Sequence, residues 1–388
     1  MRRPSQVYVV LAICCLVGLF TAFNTRSWAR IRLFAQSTGR HHSHSGSKST
    51  DGNDTGEWKK LFFTAEANFT RTLVLASVKE ESTIWIAEQL SDILEPNGPL
   101  STAVYVVDDA GAELHPPENK GHEANVYLSY IIDSYESLPD IVIFMHAHRH
   151  TRHNNNLLDF DAALMIRNLS PGAIMSAGYS NLRCHWDPGC PARIHPNEQE
   201  FNDLKQEDRM IALAWPDLFP GDPLPYTLAQ PCCGQFAVSG QLIRRLSKER
   251  YIALRDWLYT SDLSDYMSGR IFEYVWQYLF TASPTSCPAT WACYCDLYGV
   301  CFDSGSAFDE WISISKNISS SRDNLKDWDE KAEFHREHCL PSALKGTLED
   351  TSSESQKAVM LASIEKLEAE LKRRKRVAFS AGRKQRGL

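Results

Sequence analysis

The chain has 388 residues, with 41 Lys and Arg against 48 Asp and Glu for a net charge of −7, and it is 43% hydrophobic and 11% aromatic. That apolar content excludes disorder throughout, and the net charge argues against a nucleic-acid partner. The average hides a division: residues 1–50 hold seven basic residues and no acid, residues 372–388 hold eight and no acid, and the body between them carries −22.

At the N-terminus, Arg2 and Arg3 precede Val7 to Phe23, seventeen residues without a charge, closed by Arg26, Arg30 and Arg32. The pattern predicts a transmembrane signal anchor at the short end of spanning length. Ser27-Trp28-Ala29 offers a small-x-small cleavage motif, so a removed signal peptide and a secreted product are the alternative. Residues 1–29 are read as cytoplasmic tip and anchor, 30–57 as a Ser-, Gly- and His-rich stem, 58–345 as a lumenal α/β domain and 346–388 as a basic helical tail. The expected location is a single-pass membrane protein of the secretory pathway, in the Golgi or ER lumen.

Leu73 to Val78 predicts a buried strand, Ile84 to Leu94 a helix, Ala103 to Val107 a second strand ending in Asp108-Asp109, Glu123 to Tyr135 a second helix, and Ile141 to Met145 a third strand. This alternation predicts a single Rossmann-like, mostly parallel sheet covered by helices. Ligands in such sheets bind at the carboxyl ends of strands. Farther on, Ala237-Val238-Ser239 is strand-like and Ile271 to Phe280 a strongly apolar helix. Gln356 to Arg376 reads as one long helix with Met360, Ile364, Leu367 and Leu371 in 4-3-4 spacing. That stripe suits packing on its own domain or, as the sharper alternative, a coiled coil forming a homodimer.

The cysteines point to an oxidising lumen. Cys14 and Cys15 lie in the apolar run, and eight others fall in pairs or tight groups: Cys184 with Cys190, Cys232 with Cys233, and Cys287, Cys293, Cys295 and Cys301. They read as disulfide candidates, with a zinc cluster as the competing reading and Cys339 left over. Adjacent cysteines bond each other at a geometric disadvantage, so Cys232 and Cys233 are expected to reach different partners. Asn53, Asn68, Asn168 and Asn317 are glycosylation sequons.

Chemistry concentrates after the third strand, where four of the thirteen histidines fall in residues 146–153. In an extended segment alternate residues face one way, so His146, His148 and His150 are candidate metal ligands, with Asp108 or Asp109 adding a carboxylate. The alternative is that they cap helices or pair with the acidic surface. Asn119-Lys120-Gly121 opens the second helix and suits either a phosphate cradle or ordinary turn chemistry. Pro231 to Phe236 is a rigid loop able to line a pocket or to brace the fold. Glu273 serves either a helix dipole or, with a raised pKa, general-base work, and Arg270 beside it is its ion-pair partner or a phosphate ligand.

Several stretches carry a resemblance: Asn119-Lys120-Gly121-x-Glu123-Ala124, Tyr127-Leu128-x-Tyr130-Ile131, Leu138-Pro139-Asp140, Phe144-x-His146-Ala147-His148, Pro231-Cys232-Cys233-x-Gln235-Phe236 and Ser268-Gly269-Arg270-x-x-Glu273-Tyr274. Over about residues 70–302 the chain resembles an uncharacterised, mainly fungal family, domain of unknown function 3431, which brings no established activity. More loosely, the order of elements is similar to that of nucleotide-sugar glycosyltransferases of the GT-A type. Those enzymes usually carry Asp-x-Asp where this chain has His146-x-His148.

The looser likeness implies a membrane-anchored enzyme taking a nucleotide-sugar donor and a small-molecule or glycan acceptor, with no nucleic acid involved. In that picture Asp108 and Asp109 contact the nucleotide, and His146 and His148 hold Mn or Mg, or the diphosphate. Lys120, Gly121, Arg149 and Arg270 neutralise phosphate, and Glu273 activates the acceptor. One alternative is a hydrolase or oxidase with Zn or Fe on the histidine cluster. The other is a non-catalytic lumenal accessory protein of a biosynthetic pathway.

Overall fold

A computed structural model describes residues 69–197, 206–338 and 351–387. The proposed anchor Val7 to Phe23, Asn53, Asn68 and Cys339 lie outside the described residues. No helix among those described is long and apolar enough to cross a membrane. By internal contacts the chain forms two units, one of Asp54–Trp311 with Lys372–Leu388 and one that includes Ile312–Leu371.

The main unit is built on a five-stranded sheet in the order β2 (Leu100–Val106), β1 (Arg71–Ser77), β3 (Ile141–His146), β5 (Phe236–Ser239) and β4 (Tyr179–Asn181). β1, β2 and β3 are parallel, as their alternation with α1 (Trp85–Leu90) and α2 (His122–Asp133) requires. Leu73, Val74 and Leu75 of β1 and Ile141 to Met145 of β3 are at most 1% exposed, the continuous apolar reading of strands covered on both faces.

Beyond β3 the sheet departs from expectation. β5 runs antiparallel to β3, with Phe144 opposite Phe236, and the three-residue β4 runs antiparallel to β5. Three strands are therefore parallel, and the last two alternate in direction. The reversal sets the amino end of β5 beside the carboxyl end of β3.

Two short helices, α3 (Ala162–Asn168) and α4 (Pro171–Ala177), precede β4. After α5 (Gln206–Leu218) and α6 (Gly240–Ile243) come α7 (Lys248–Thr260) and α8 (Asp265–Thr281). Glu273, Trp276, Gln277 and Phe280 of α8 recur at helical spacing and are all buried. Ring contacts run Tyr127 to Phe144 at 4.6 Å, Phe144 to Phe236 at 4.9 Å and Phe236 to Trp276 at 5.1 Å, clamping α2, β3, β5 and α8 together. Each such ring contributes about 1.5–3 kcal/mol by burial. Because Trp276 anchors α8, Glu273 one turn earlier is fixed beside the sheet.

α9 (Thr290–Tyr298) leads into two long helices, α10 (Gly305–His338) and α11 (Thr351–Gln385). In the smaller unit Arg322 pairs with Glu368 and Lys357 with Asp329, and Ile318 and Ile364 are buried. Ile364 of the 4-3-4 stripe is buried, while Met360, Leu367 and Leu371 are half-buried. The end of α11 belongs to the main unit, where Arg374 pairs with Glu310, Lys375 with Asp159, and Arg386 donates to the Asn168 carbonyl. Part of the basic tail thereby lies on the acidic body.

Candidate functional site

The site follows from the reversal of β5. The loop Pro231 to Gln235 enters β5 next to the point where β3 ends at His146. Gln235, fully buried, accepts the His146 amide at 3.1 Å and donates to the Asn154 side chain at 3.1 Å. His146 Nε2 lies 2.9 Å from the Cys233 carbonyl oxygen, and its ring is 4.8 Å from that of His153. A cavity of about 500 Å³ opens there, with Arg152, Arg183 and Arg270 supplying its cations and His146 and His153 its imidazoles. Glu123 and Glu273 are its carboxylates, and Cys232, Cys233 and Pro188 form a less polar wall.

Glu273 is 7% exposed. One of its oxygens accepts the Cys233 amide at 2.6 Å and the other accepts Arg270 at 2.5 Å. Burial raises its pKa, Arg270 pulls it down, and Glu123 raises it again, for a net upward shift. Burial disfavours the Arg270 charge, but Glu273, Tyr274 and Glu207 hold its pKa above the ordinary value. Gly234, at φ 61°, leaves room for Glu123: a Cβ there would lie 2.9 Å from the Glu123 carboxylate. Gly269 likewise lets α8 approach the turn before α2, since its Cβ would meet the Gly121 carbonyl at 3.0 Å.

Arg183 carries no signal in the sequence patterns, yet it is the most exceptional cation of the cavity. Its N–H groups reach the carbonyls of Arg152 at 2.6 Å and Asp187 at 3.0 Å and the Cys233 sulfur at 3.7 Å. No described carboxylate forms an ion pair with it, its Nε is buried without a partner, and burial lowers its pKa. The charges of Asp187 and Glu273 act against that lowering, and a guanidinium with no carboxylate bonded to it at a cavity wall suits an anionic ligand. His153 is pushed down to about 4 by desolvation and by the charges of His146 and Arg183.

Other sequence candidates lie elsewhere. His148 bonds Glu81 at 2.9 Å and His150 faces Asp161 at 4.0 Å, so only His146 of the expected metal trio reaches the cavity. The trio does not converge because β3 ends at His146 and the chain then leaves the extended conformation that alternation assumes. Arg149 is engaged by Asp161 at 2.8 Å and by Gln89, and Asp161 also caps α3 through the Ala163 amide. Lys120 donates to the Ser261 and Tyr259 carbonyls at the end of α7, and the Gly121 amide is taken by Asp265. The phosphate cradle expected at this turn is therefore filled from within the chain. Asp108 accepts the Lys79 amide at 2.7 Å and Asp109 pairs with the Lys79 ammonium at 3.0 Å, and neither lines the cavity.

All eight grouped cysteines are bonded, as Cys184–Cys293, Cys190–Cys287, Cys295–Cys301 and Cys232–Cys233. The last pair corrects the expectation that neighbours seek different partners. At Cys233 the backbone takes φ 89°, a left-handed turn that swings the two side chains onto one side. Of the sequons, Asn317 is exposed, while the Asn168 amide nitrogen donates to the Leu164 carbonyl at 2.8 Å.

A larger cavity, about 870 Å³, opens beside β4, lined largely by small residues and by Cys287, Cys293, Cys295 and Cys301. Its charged lining is Asp296 and Arg386, and Arg386 is occupied by the Asn168 and Asp296 carbonyls. The smaller cavity is the one at the strand ends that gathers cations, a buried carboxylate and shifted pKa values.

Fold and cavity together define an α/β domain with a cation-rich site where β3 and β5 meet in opposite directions. The chain belongs to the family described as Protein of unknown function (DUF3431), which it matches over residues 73–296, more than half its length. No curated protein and no solved structure matches it.

Proposed function

We propose that the domain is a glycosyltransferase-type enzyme that takes a nucleotide-activated sugar as donor. The observation that carries this reading is the joint presence, in one cavity at the end of β3, of Arg183 without a carboxylate partner and Glu273 buried with a raised pKa. In the proposed reaction the acceptor hydroxyl oxygen bonds to the anomeric carbon as the bond from that carbon to the diphosphate oxygen breaks. The diphosphate leaves with the bonding pair, its charge met by Arg183 and Arg270. The hydroxyl proton passes to Glu273. A divalent cation, Mn or Mg, would add charge at the diphosphate, and His146 is the one member of the expected trio placed to meet it. We further propose a lumenal domain held by the anchor Val7 to Phe23, a placement that the disulfides favour by requiring an oxidising compartment.

Calorimetry of the purified chain with UDP- and GDP-sugars, with and without Mn²⁺, tests this reading. Binding is expected, and Arg183→Gln is expected to weaken it about ten- to a hundredfold, the worth of a charge-assisted hydrogen bond. Glu273→Gln should leave donor affinity within about threefold while abolishing transfer. Absence of nucleotide-sugar binding under both conditions overturns the proposal.

A further inference from the structure

A disulfide between neighbours cannot staple distant segments. Cys184–Cys293 and Cys190–Cys287 join residues 109 and 97 apart. On the chain-entropy account each closes a long loop of the unfolded chain and so restrains it strongly. Cys232–Cys233 joins residues 1 apart and restrains almost nothing of the unfolded chain. Its use has to be sought in its own surroundings.

Those surroundings are a set of metal-ligand types. The Sγ atoms of Cys232 and Cys233 and a Glu273 carboxylate oxygen all lie within 4.8 Å of one another. The turn at Cys233 aims both sulfurs the same way, Cys232 is buried and Cys233 lines the cavity. Arg183 stands 3.7 Å from the Cys233 sulfur, and a guanidinium beside a thiol favours its thiolate. Bonded to each other, the sulfurs are poor ligands. Reduced, two thiolates and a carboxylate make three protein ligands of the zinc type, with a fourth position open towards the cavity.

We infer that Cys232, Cys233 and Glu273 form a redox-gated metal site that holds one zinc-class divalent cation after the disulfide is opened by a dithiol reductant. The reductant's two thiols become its own disulfide, and two electrons and two protons pass to the Cys232–Cys233 bond, which breaks. Metal binding then releases the two thiol protons to solvent. On the transfer reading, the cation competes with acceptor for Glu273, but zinc uptake itself does not rest on that reading.

The full-length chain is treated with graded dithiothreitol, the opened cysteines are alkylated and located by peptide mass spectrometry, and zinc uptake is read by competition with a chromophoric chelator. Cys232 and Cys233 are expected to open before the six cysteines of the other bridges. The reduced chain should take up one more zinc than the Cys232→Ser, Cys233→Ser double variant, which retains Cys339. Glu273→Gln should weaken zinc binding at least about tenfold. Opening only together with the other bridges, or uptake equal to the double variant's, overturns the inference. If circular dichroism shows the double variant unfolded, Glu273→Gln decides, because it keeps every cysteine, and zinc affinity equal to wild type overturns the inference as well.

Discussion

Residues 146–153 and residues 231–236 border the same junction of β3 and β5 but use it in opposite ways. The first segment packs four histidines and two arginines into eight residues, while the second has no charged side chain at all. In the fold the first divides: His146, Arg152 and His153 line the cavity, while His148 goes to Glu81, Arg149 to Asp161 and His150 faces Asp161. The second converges: Cys233 meets His146 through its carbonyl, Glu273 through its amide and Arg183 through its sulfur. Density of reactive residues along a chain measures chemistry within reach of solvent. Convergence needs groups pinned by elements remote in sequence, and at Cys233 the carbonyl, the amide and the sulfur are each met by such an element.

The comparison is broken most forcefully by removing what supports that loop. Cys232 donates its amide to the Pro188 carbonyl at 3.0 Å, and Gly189 follows at φ 133°. A Cβ on Gly189 would stand 1.9 Å from the Gln230 carbonyl oxygen and 3.0 Å from the Cys232 nitrogen. Gly189→Ala is therefore expected to cost about 3 kcal/mol or more, from steric overlap and backbone strain together. For a domain of this size that lowers Tm by roughly 6–12 °C in a calorimetric scan. A shift under about 2 °C would mean that the loop does not depend on this close approach.

A smaller effect sharpens the comparison through pH. His153 sits at the end of the divided segment but in the field of the convergent one, and desolvation with the His146 and Arg183 charges holds it at about 4. His185, buried between Asn156 and Tyr294, is likewise pushed to about 4 by desolvation and Arg183. An unfolded chain protonates both near 6.5, so between about 6.5 and 4 the unfolded state binds more protons. Their contribution to stability is present above about 6.5, falls as pH drops through that window, and levels off below it. Thermal scans from pH 7 to 4 should show this slope, and His185→Gln should flatten it relative to wild type. An unchanged slope would mean that His185 does not titrate below its unfolded value.

The parallel half of the sheet was legible because Leu73-Val74-Leu75 and Ile141 to Met145 are apolar runs that only a doubly covered strand explains. β4 was not, since Tyr179, Ser180 and Asn181 are too few to show alternation, and the reversed direction of β5 leaves no local mark. Glu273 and Arg270 were recognisable as an acid and a base one turn apart on an apolar helix. Arg183 was invisible because a lone arginine in a loop announces neither its place at a cavity wall nor its lack of a carboxylate partner. Lys120 misled for the complementary reason: the helix end that satisfies it, at Tyr259 and Ser261, lies 139 and 141 residues away.

The smallest expected effect bears most directly on the contrast between the two segments. His148 keeps 63% of its side chain exposed against Glu81, and His150 keeps 60% exposed against Asp161. Exposed pairs contribute about 0–1 kcal/mol. His148→Ala and His150→Ala should each leave stability within about 0.5 kcal/mol in denaturant unfolding and leave pyrophosphate affinity within about twofold. Arg183 provides the opposing measurement from the convergent side. If His148→Ala instead cost as much affinity as Arg183→Gln, the segment 146–153 would have to fold back over the cavity when ligand binds. The ligand would then recruit, by induced fit, the histidines that the free domain spends on Glu81 and Asp161.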